Sequence, residues 1–476
     1  MIIKGYIFSV LYVLVVLLFA QILYKLGLPK KYTRKLVHIL VGFEWLILYH
    51  FFGGGIHTFL VCLFFLILLL VEYRVKLLPM MSSDDDNAPG TVYYALAMTL
   101  VSFVVIFIPD LMIPFGISVF ATSIGDGFAG LVGQLIQKHN PKIWGTKTLF
   151  GTLFCFLSTI LVALIFDIAF SLPIGLWHYL FIAILACELE LFVGRGIDNV
   201  AITLGISAYV MLILSLQGEM SYSLPILLTP AVVAIVAKLR ILTVPGIIFA
   251  LIMDVLISIA FNNLGFLILI LYFLGSLLSD KYKKRRKCKA ELSNIDKTRS
   301  FCQVFANGIA PTLCSILYIL TGKIFFFVGF VASLSEALAD TVASGIGSSA
   351  KWVYDPFKRK KCTPGISGGM SIEGTISSLL GAVALASLSL LFLECGAKEF
   401  LIISAAAFFG CVLDSALGSL LQAKFKCTVC SSTVEDRIHC QKETELISGL
   451  RFVGGSAVNL VSSLFSAALA ILLTLI

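Results

Sequence analysis

The segment S-I-G-D-G-F-A-G-L-V-G at residues 123–133 recurs as A-L-A-D-T-V-A-S-G-I-G at residues 337–347, each within a long apolar stretch. In both copies the aspartate is followed after three residues by alanine and after seven residues by glycine. These spacings fall on one face of a helix, so Asp126 and Asp340 each head a strip of small residues. An ionisable group inside an apolar span is energetically costly, which makes both aspartates candidate functional residues. The alternative is a pair of aspartates that only pack beside close small-residue contacts.

The composition assigns the chain to the integral membrane proteins. Its 476 residues are 59% hydrophobic and 13% charged, whereas soluble domains carry roughly 25% charged residues. Apolar runs of about 20 residues alternate with short polar loops over most of the length. The first run, residues 7–24, lacks a small-residue cleavage site and is predicted to be a span rather than a signal peptide. The predicted fold class is an all-α polytopic membrane protein.

Positively charged residues predict how the spans are oriented. Lys and Arg are concentrated in loops such as residues 30–35, 138–147, 281–299 and 351–361, whereas the loops at residues 53–55 and 262–263 carry none. Alternating the spans puts every basic loop on one side, which the positive-inside bias identifies as cytoplasmic. The same bias explains the net charge of +8, and nothing in the sequence suggests nucleic-acid binding.

The spans fall into two halves. A divide near residues 217–223 leaves roughly seven to eight spans on each side. With about eight spans on each side, an even number, the halves are predicted to be parallel repeats rather than inverted ones. The sequence therefore predicts two helical membrane domains, residues 1–217 and 223–476, with the loops beside Asp126 and Asp340 at the cytoplasmic face.

Carboxylates beside cytoplasmic lysines and glycines indicate a divalent cation that holds nucleotide phosphates. Mg²⁺ prefers one or two carboxylates together with phosphate oxygens. Lysines neutralise a transferring phosphoryl group, and glycines let backbone N–H groups approach it. The P-loop pattern G-x-x-x-x-G-K-[ST] is absent from the sequence, which excludes a P-loop kinase.

Each half supplies candidates for this chemistry. Asp126, Asp340 and Asp414 are the predicted metal ligands. Lys147, in the loop at residues 144–148, and Glu373 are further predicted catalytic residues. The remaining candidates for binding nucleotide or phosphate are Glu188, Asp198 and Asn199 in the first half, and Gly368, Gly369 and Ser371 in the second.

Cysteines raise a separate possibility. Most of the 12 cysteines are single and flanked by apolar residues, which is typical of buried thiols in a reducing environment. Cys427-x2-Cys430 and Cys440 instead share one polar loop. Three thiols are suitable metal ligands, but no fourth ligand is obvious, because His439 directly adjoins Cys440. The sequence leaves this metal site open.

Residues from about 30 to 215 resemble the membrane family that contains phytol kinase, dolichol kinase and CDP-diacylglycerol synthase. The matching stretches are Arg34-Lys35-x2-His38, Gly125-Asp126-Gly127, Gly145-x-Lys147-Thr148, Gly151-Thr152, Glu188 and Asp198-Asn199. The chain departs from the family at Phe150, where many members have an acidic residue. The resemblance implies that nucleotide or phosphate is also bound by Arg34, Lys35, Gly127, Gly145, Thr148, Gly151 and Thr152.

Residues from about 225 to 476 resemble a different membrane family, the one that contains plant phytyl-phosphate kinase. The matching stretches include Asn307-Gly308, Ala339-Asp340-Thr341-x2-Ser344, Gly368-Gly369-x-Ser371-x2-Gly374-Thr375, Asp414 and Asn459. The chain departs from it at Gly345, where glutamate is usual. The resemblance implies binding roles for Asn307, Thr341, Ser344, Gly374, Thr375 and Asn459 as well.

Together the two resemblances imply a fused, bifunctional kinase. One half would phosphorylate an isoprenoid alcohol such as phytol, geranylgeraniol or farnesol, and the other would convert the monophosphate to the diphosphate. Both families are associated with CTP or another nucleoside triphosphate, used with Mg²⁺. Two alternatives stay open: a cytidylyltransferase that forms a CDP-lipid, and a secondary transporter. A transporter would want its polar residues near the bilayer midplane, whereas here they gather at one membrane face.

Overall fold

The computed structural model of the protein is an all-α membrane protein with short β-hairpins in its loops, as the composition predicts. It describes residues 1–75, 90–136, 140–194, 196–215, 222–286, 298–362 and 364–476. Within these ranges, 12 helices are long and apolar enough to cross a membrane. Most of the predicted divide at 217–223, and parts of the basic loops at 138–147 and 281–299, lie outside the described residues.

The chain divides into two compact units, Met1–Ala234 and Ile235–Ile476. The helices of the first unit are α1 (Ile2–Lys25), α2 (Lys30–Val41), α3 (Glu44–Phe52), α4 (Ile56–Val75), α5 (Gly90–Val105), α6 (Met112–Phe120), α7 (Gly127–Leu135), α8 (Leu149–Phe170), α9 (Leu176–Phe192) and α10 (Asp198–Ser215), and α11 (Ser223–Lys238) lies at the boundary. A 3₁₀ turn (Pro109–Leu111) precedes α6, and a π-helical turn (Ala121–Asp126) joins α6 to α7. Before α8, β1 (Lys142–Trp144) and β2 (Lys147–Thr148) form an antiparallel hairpin.

The helices of the second unit are α12 (Val244–Arg286), α13 (Phe301–Thr321), α14 (Ile324–Gly347), α15 (Ile372–Ala386), α16 (Ala397–Leu420) and α17 (Gly455–Leu475). A 3₁₀ turn (Ser387–Leu391) follows α15. Strands β3 (Tyr354–Asp355) and β4 (Lys360–Lys361) form a hairpin. A four-stranded sheet in the order β6-β5-β8-β7 is built from β5 (Lys424–Cys427), β6 (Thr433–Val434), β7 (Ile438–His439) and β8 (Lys442–Ser448).

The two loops predicted to lie opposite the basic ones are chain reversals. Gly53, Gly54 and Gly55 between α3 and α4 all have positive φ angles, of 62°, 108° and 76°, which glycine adopts without strain. In α12 the helical geometry breaks at Asn262 (φ 54°, ψ −145°), so α12 consists of two arms. The uncharged dipeptide at residues 262–263 is therefore the boundary between two spans.

One span in each unit is far more enclosed than the others, and each carries one of the repeated aspartates. The most apolar 18-residue windows of Pro109–Leu135 and Ile324–Gly347 are each 72% buried. The same windows of the other candidate spans are 22–50% buried. Asp126 and Asp340 therefore lie on the central helices of their units, surrounded by protein rather than by lipid.

The strip of small residues in the first unit is a helix-crossing surface. A Cβ atom added to Gly151 would lie 2.9 Å from the carbonyl oxygen of Ala129. One added to Gly133 would lie 3.0 Å from Thr148 Oγ1. The hydroxyl of Thr148 also caps α8 by accepting a hydrogen bond from the N–H of Gly151. Helix α8 thus begins in direct backbone contact with the strip.

The second unit repeats this packing. A Cβ atom on Gly374 would lie 3.4 Å from the carbonyl oxygen of Ala343 and 3.4 Å from the Cα of Gly347. Ser371 caps α15 by accepting a hydrogen bond of 3.0 Å from the N–H of Gly374. Each aspartate-bearing helix is therefore crossed at the same place by the next transmembrane helix. The small residues after both aspartates form this helix–helix contact. This agrees, for the small residues, with the alternative that the repeated segments pack at close helix contacts.

We expect Gly151→Ala to destabilise the protein because its methyl group would overlap the Ala129 carbonyl. Overpacking of this kind costs about 1–3 kcal/mol. The measurement is the thermal unfolding midpoint of the purified protein in detergent. Gly194→Ala is the control, since nothing lies within 4 Å of a Cβ atom there, and we expect a change within about 0.5 kcal/mol. Equal midpoints for the two variants would contradict the crossing.

Candidate functional site

Asp126 is a buried carboxylate held in an ion pair. It ends the π-helical turn, and only 5% of its surface is exposed. Lys35 Nζ lies 2.7 Å from Asp126 Oδ2, and His38 Nε2 lies 3.5 Å from the same oxygen. Lys35 reaches Asp126 across Gly130, where a Cβ atom would lie only 2.4 Å from Lys35 Cε. Glycine at the fourth residue after Asp126 therefore leaves the space that the Lys35 side chain occupies in this conformation.

Lys147 joins two further carboxylates at the start of α8. Its Nζ lies 2.5 Å from Glu190 Oε1 and 3.2 Å from Asp198 Oδ2. Burial lowers the pKa of Lys147, but the nearby carboxylates of Glu190, Asp126 and Asp198 outweigh burial and raise this pKa above its ordinary value. Lys147 therefore stays protonated throughout the physiological pH range.

The glutamate that meets Lys147 is Glu190 rather than the predicted Glu188. Residues two apart do not share a face of a helix, so only one of the two can face α8. Cys187 marks that face, because its Sγ lies 3.5 Å from the carbonyl oxygen of Thr152 and Glu190 follows one turn later. The spacing shows that Glu188 and Glu190 cannot share a helix face, but only the tertiary structure shows which of the two faces α8.

Arg34 and Asn199 border the same charged cluster. The amide of Asn199 donates to the carbonyl oxygen of Gly90 at 2.9 Å, and an Arg34 nitrogen lies 3.6 Å from the position of a Cβ atom on Gly90. The buried Oδ1 of Asn199 has no hydrogen-bond partner within the described part of the chain. Cations and an unsatisfied amide oxygen thus surround the carboxylates of the first unit.

We expect Lys147→Met to destabilise the protein because it leaves Glu190 and Asp198 buried without a counter-charge. Breaking a buried ion pair costs about 3–5 kcal/mol. Since the Lys147 side chain is 23% exposed, about 2–3 kcal/mol is the expected loss after discounting for solvent. The double variant Lys147→Met/Glu190→Gln should recover part of this loss, and chemical denaturation of the single and double variants measures it. Additive losses would contradict the pairing.

Other predicted residues of the first unit build the scaffold around the cluster. Gly127 packs against Ile39, since a Cβ atom there would lie 2.4 Å from Ile39 Cγ1. Gly145 has a φ of 57° in the turn between β1 and β2. The Thr152 hydroxyl donates to the carbonyl oxygen of Thr148 at 3.1 Å. With Gly151 and the Thr148 cap, these residues position the cluster through backbone packing.

In the second unit three carboxyl groups lie together on the central and neighbouring helices. Glu336 is 2% exposed and lies one turn before Asp340 on α14, and it interacts electrostatically with Asp340 and with Asp414 on α16. Ser462 Oγ donates to Asp414 Oδ2 at 3.2 Å. Among the side chains that the structure describes, no basic group lies within 4.0 Å of the three carboxylates. We call Glu336, Asp340 and Asp414 the acid cluster.

An amide network borders the acid cluster. Asn459 Nδ2 donates to Asn307 Oδ1 at 3.4 Å, and Asn307 Nδ2 donates to Tyr272 Oη at 3.1 Å. Tyr272 interacts electrostatically with Glu336 and Asp340. The structure therefore brings together residues of α12, α13 and α17 around the carboxylates of α14 and α16.

Several predicted residues of the second unit do not reach the acid cluster through a hydrogen bond. The hydroxyls of Thr341, Ser344 and Thr375 donate to carbonyl oxygens of their own helices, those of Ala337, Thr341 and Ser371. Glu373 is exposed in the first turn of α15. Their predicted binding or catalytic roles stay predictions.

The glycine loop before α15 is packed against the end of α16. Gly368 has a φ of 87°, and a Cβ atom there would lie 2.5 Å from the backbone nitrogen of Ser419. A Cβ atom on Gly369 would lie 2.7 Å from Cys362 Sγ. The loop is thus a close-fitting turn, and its glycines are required by that fit.

The same scaffold carries opposite charge arrangements in the two units. Ser344 stands where Gly130 admits Lys35, and Met370 stands where Lys147 precedes the helix cap. At Gly345, where glutamate is usual in the resembling family, a Cβ atom would lie 2.2 Å from Ser279 Oγ, so a larger side chain would require the Ser279 hydroxyl to move. Asp126 is in direct contact with a cation, whereas Asp340 lies beside two acids and interacts with Lys283 only at longer range.

Comparison with known proteins identifies the second unit. A family model described as Integral membrane protein DUF92 matches residues 227–467, which include the whole acid cluster. The chain belongs to this DUF92 family of integral membrane proteins. The DUF92 match lies within the predicted second domain, residues 223–476.

The chain is also similar to individual proteins. Phytol kinase of Synechocystis sp. is 33% identical over 199 residues, which are 40% of this chain and 83% of the relative. Protein VTE6, chloroplastic, of Arabidopsis thaliana is 32% identical over 153 residues, 31% of this chain and 46% of the relative. An uncharacterized membrane protein of Synechocystis sp. is 27% identical over 198 residues, 40% of this chain and 76% of the relative. No solved structure matches the chain.

The DUF92 unit contains the better candidate for a magnesium site. Among the described side chains no basic group contacts its three neighbouring carboxyl groups directly, although Lys283 interacts electrostatically with Asp340. A hard divalent cation with oxygen ligands would compensate the remaining charge. In the first unit Lys35 already compensates Asp126. A metal ion would bind Asp126 only if the Lys35 side chain moved away from that carboxylate toward an anionic ligand.

Proposed function

We propose that the protein is a bifunctional, nucleoside-triphosphate-dependent kinase of isoprenoid lipids, formed by fusion of two membrane domains. The first unit phosphorylates an isoprenoid alcohol, and the second phosphorylates the resulting monophosphate. The observation that carries the proposal is one scaffold used twice with different charge partners, with Asp126 in a direct ion pair with Lys35 and Asp340 beside Glu336 and Asp414. The DUF92 match to residues 227–467 and the similarity to Phytol kinase support it.

In the first unit the cations bind the phosphates of the donor. Lys35, Lys147 and Arg34 lie around one buried cluster and neutralise charge that builds up on a transferring phosphoryl group. When Lys35 turns to a phosphate, Asp126 becomes free to act as a metal ligand. Bound Mg²⁺ would neutralise the donor's phosphate oxygens and hold them in line with the acceptor hydroxyl.

In the second unit both reactants are negatively charged, since the acceptor is already a phosphate monoester. Two anions approach each other only when counter-charge is supplied. The acid cluster would provide this counter-charge by binding Mg²⁺, with Asp340 and Asp414 as its direct ligands. Asn307 and Asn459 present amides beside that ligand set. Overall, a phosphoryl group moves from the donor to the monophosphate oxygen, and the nucleoside diphosphate leaves.

Fusion gives the two steps a physical advantage. The intermediate is a lipid that stays in the bilayer, and the two domains are covalently linked in the same membrane. Linkage would present the intermediate to the second site at a raised effective concentration. Fusion therefore favours consecutive steps over two unrelated activities.

The test is a lipid product analysis with labelled CTP. Purified protein is given Mg²⁺, a panel of prenols, and CTP labelled on either the α or the γ phosphate. We expect γ label in a prenyl monophosphate and diphosphate, and no α label. Label from the α phosphate would show a cytidylyltransferase instead, and no labelled lipid with any prenol or donor would contradict kinase activity. Parallel reactions with UTP and ATP identify the preferred donor.

We further propose that both sites face the cytoplasm, because the basic loops do. Single cysteines introduced in two loops, at the exposed position Lys142 and at the half-buried position Lys358, should react with an impermeant maleimide only from the cytoplasmic side. A cysteine at Gly54, in an uncharged loop, should react only from the other side. Opposite labelling of positions 142 and 358 would contradict the parallel arrangement.

A further inference from the structure

Four metal-ligating side chains converge in the sheet that follows α16. Cys427 ends β5, and Cys430 lies in the turn between β5 and β6. His439 ends β7, and Cys440 lies in the turn between β7 and β8. One ligand atom from each lies within 4.8 Å of all the others. The turns of two hairpins thus bring two pairs of ligands to one point.

The separations suit a tetrahedral metal ion. His439 Nδ1 lies 3.5 Å from Cys430 Sγ and 3.3 Å from Cys440 Sγ. Zinc bound at about 2.3 Å to sulfur and about 2.0 Å to nitrogen separates its ligands by roughly 3.5–3.8 Å. Three thiolates and one imidazole are also a ligand set typical of structural zinc and leave no open coordination position.

The backbone explains how adjacent residues can both be ligands. Cys440 and Gln441 have φ angles of 52° and 60°, a left-handed conformation that non-glycine residues rarely adopt. The sharp turn directs Cys440 Sγ back toward the imidazole of His439. On the other hairpin, the N–H of Val429 donates to Cys427 Sγ at 3.4 Å, and Ser432 Oγ lies 2.8 Å from Cys430 Sγ. Such outer contacts orient thiolate ligands and stabilise their charge.

The sheet has little else to hold it together. Of its apolar side chains, Phe425 is buried, but Val429, Ile438, Leu446 and Ile447 are 44–67% exposed. Small units that lack an apolar core usually need a metal or disulfides to fold. A bound metal would supply what packing does not.

We propose that Cys427, Cys430, His439 and Cys440 form a structural zinc site that holds the four-stranded sheet together. The zinc ion links the turns of both hairpins, and without zinc the two turns are no longer held together. This assignment stands on the ligand geometry and does not require the kinase activity proposed above.

The zinc site also positions the glycine loop before α15. Glu435, between β6 and β7, accepts hydrogen bonds from the N–H of Ser367 at 2.8 Å and from Gln422 Nε2 at 2.9 Å. Lys424 on β5 donates to the carbonyl oxygen of Ser367 at 2.7 Å. The sheet therefore holds Ser367 through hydrogen bonds to both its N–H and its carbonyl oxygen, next to Gly368 and the end of α16. Loss of zinc should loosen this loop.

The test is the zinc content of the full-length protein, purified without chelators and without a polyhistidine tag. We expect about one zinc per chain by elemental analysis. Cys430→Ser and Cys440→Ser should lose at least tenfold in zinc occupancy, and His439→Cys should retain it. Cys302→Ser is the control, because that exposed thiol lies on α13, outside the cluster. Zinc that persists in both serine variants would show adventitious binding and overturn the site.

Alkylation and hydrogen exchange of the wild-type protein test the zinc site without variants. In the wild-type protein, Cys427, Cys430 and Cys440 should resist alkylation until a zinc chelator is added, while Cys302 reacts throughout. Hydrogen exchange in residues 424–448 and 365–371 should rise on chelation. Immediate alkylation of all three thiols, or a disulfide between any two of them in freshly purified protein, would overturn the zinc site.

Discussion

Asp340→Asn is expected to stop the second phosphorylation and let the lipid monophosphate accumulate. Conversion of the monophosphate should fall by roughly 100-fold or more, because a charged ligand is removed while the shape is kept. Its folding should not suffer, since Asp340 lies near Glu336 and Asp414 and the described side chains place no basic group within 4.0 Å of it, with Lys283 interacting only at longer range. Replacing one carboxyl group of this acid cluster by an amide should leave the thermal midpoint unchanged or raised.

The measurements are the ratio of diphosphate to monophosphate, followed by mass spectrometry, and the thermal midpoint in detergent. Glu394→Gln is the matched control, because Glu394 is an exposed acid in the loop before α16. Glu394→Gln should keep the wild-type product ratio and the wild-type thermal midpoint. Near-normal diphosphate production by Asp340→Asn would assign Asp340 to structure and leave Asp414 as the better candidate ligand. A lowered midpoint with lost activity would show that the acid cluster stabilises the fold.

Asp126→Asn is expected to abolish phosphorylation of the alcohol while added monophosphate is still converted to diphosphate. Here the structural effect has the opposite sign from Asp340→Asn, because Asp126 has Lys35 at 2.7 Å. Leaving the ammonium of Lys35 without its carboxylate should lower stability. The loss should stay below the ~3–5 kcal/mol of a fully buried pair, since the Lys35 side chain is 20% exposed.

The first step is measured as prenyl monophosphate formed from prenol, and the second as diphosphate formed from supplied monophosphate. Asp110→Asn is the control, because Asp110 is exposed in the turn before α6 and should change neither step. The double variant Lys35→Met/Asp126→Asn should recover stability but not activity. Loss of both steps in a folded Asp126→Asn protein would favour one shared site over two.

The sequence predicted well where the physics is local. Span length and the low share of charged residues identify a polytopic helical protein, because any backbone that crosses lipid must satisfy its own hydrogen bonds. The loops at residues 53–55 and 262–263 were recognisable because glycines or an asparagine pair interrupt long apolar runs.

The sequence predicted the sites less completely, because helix rotation and long-range packing choose the partners. Glu188 and Glu190 are equally acidic, and only the face of α9 that meets α8 selects Glu190 for Lys147. From the sequence, His439 is not an obvious fourth ligand, because it directly adjoins Cys440. The left-handed backbone at Cys440 and Gln441 lets both side chains face the same point. Neither result is visible in composition or spacing.

The sequence by itself determined the fold class, the two repeated helices and the strip of small residues behind each aspartate, because hydropathy and helical period act within a single span. Only the tertiary structure decided what each aspartate meets. Lys35 approaches Asp126 from α2, whereas Asp414 approaches Asp340 from α16. The physical reason is that a buried charge takes its properties from neighbours distant in sequence, and helix packing alone chooses those neighbours.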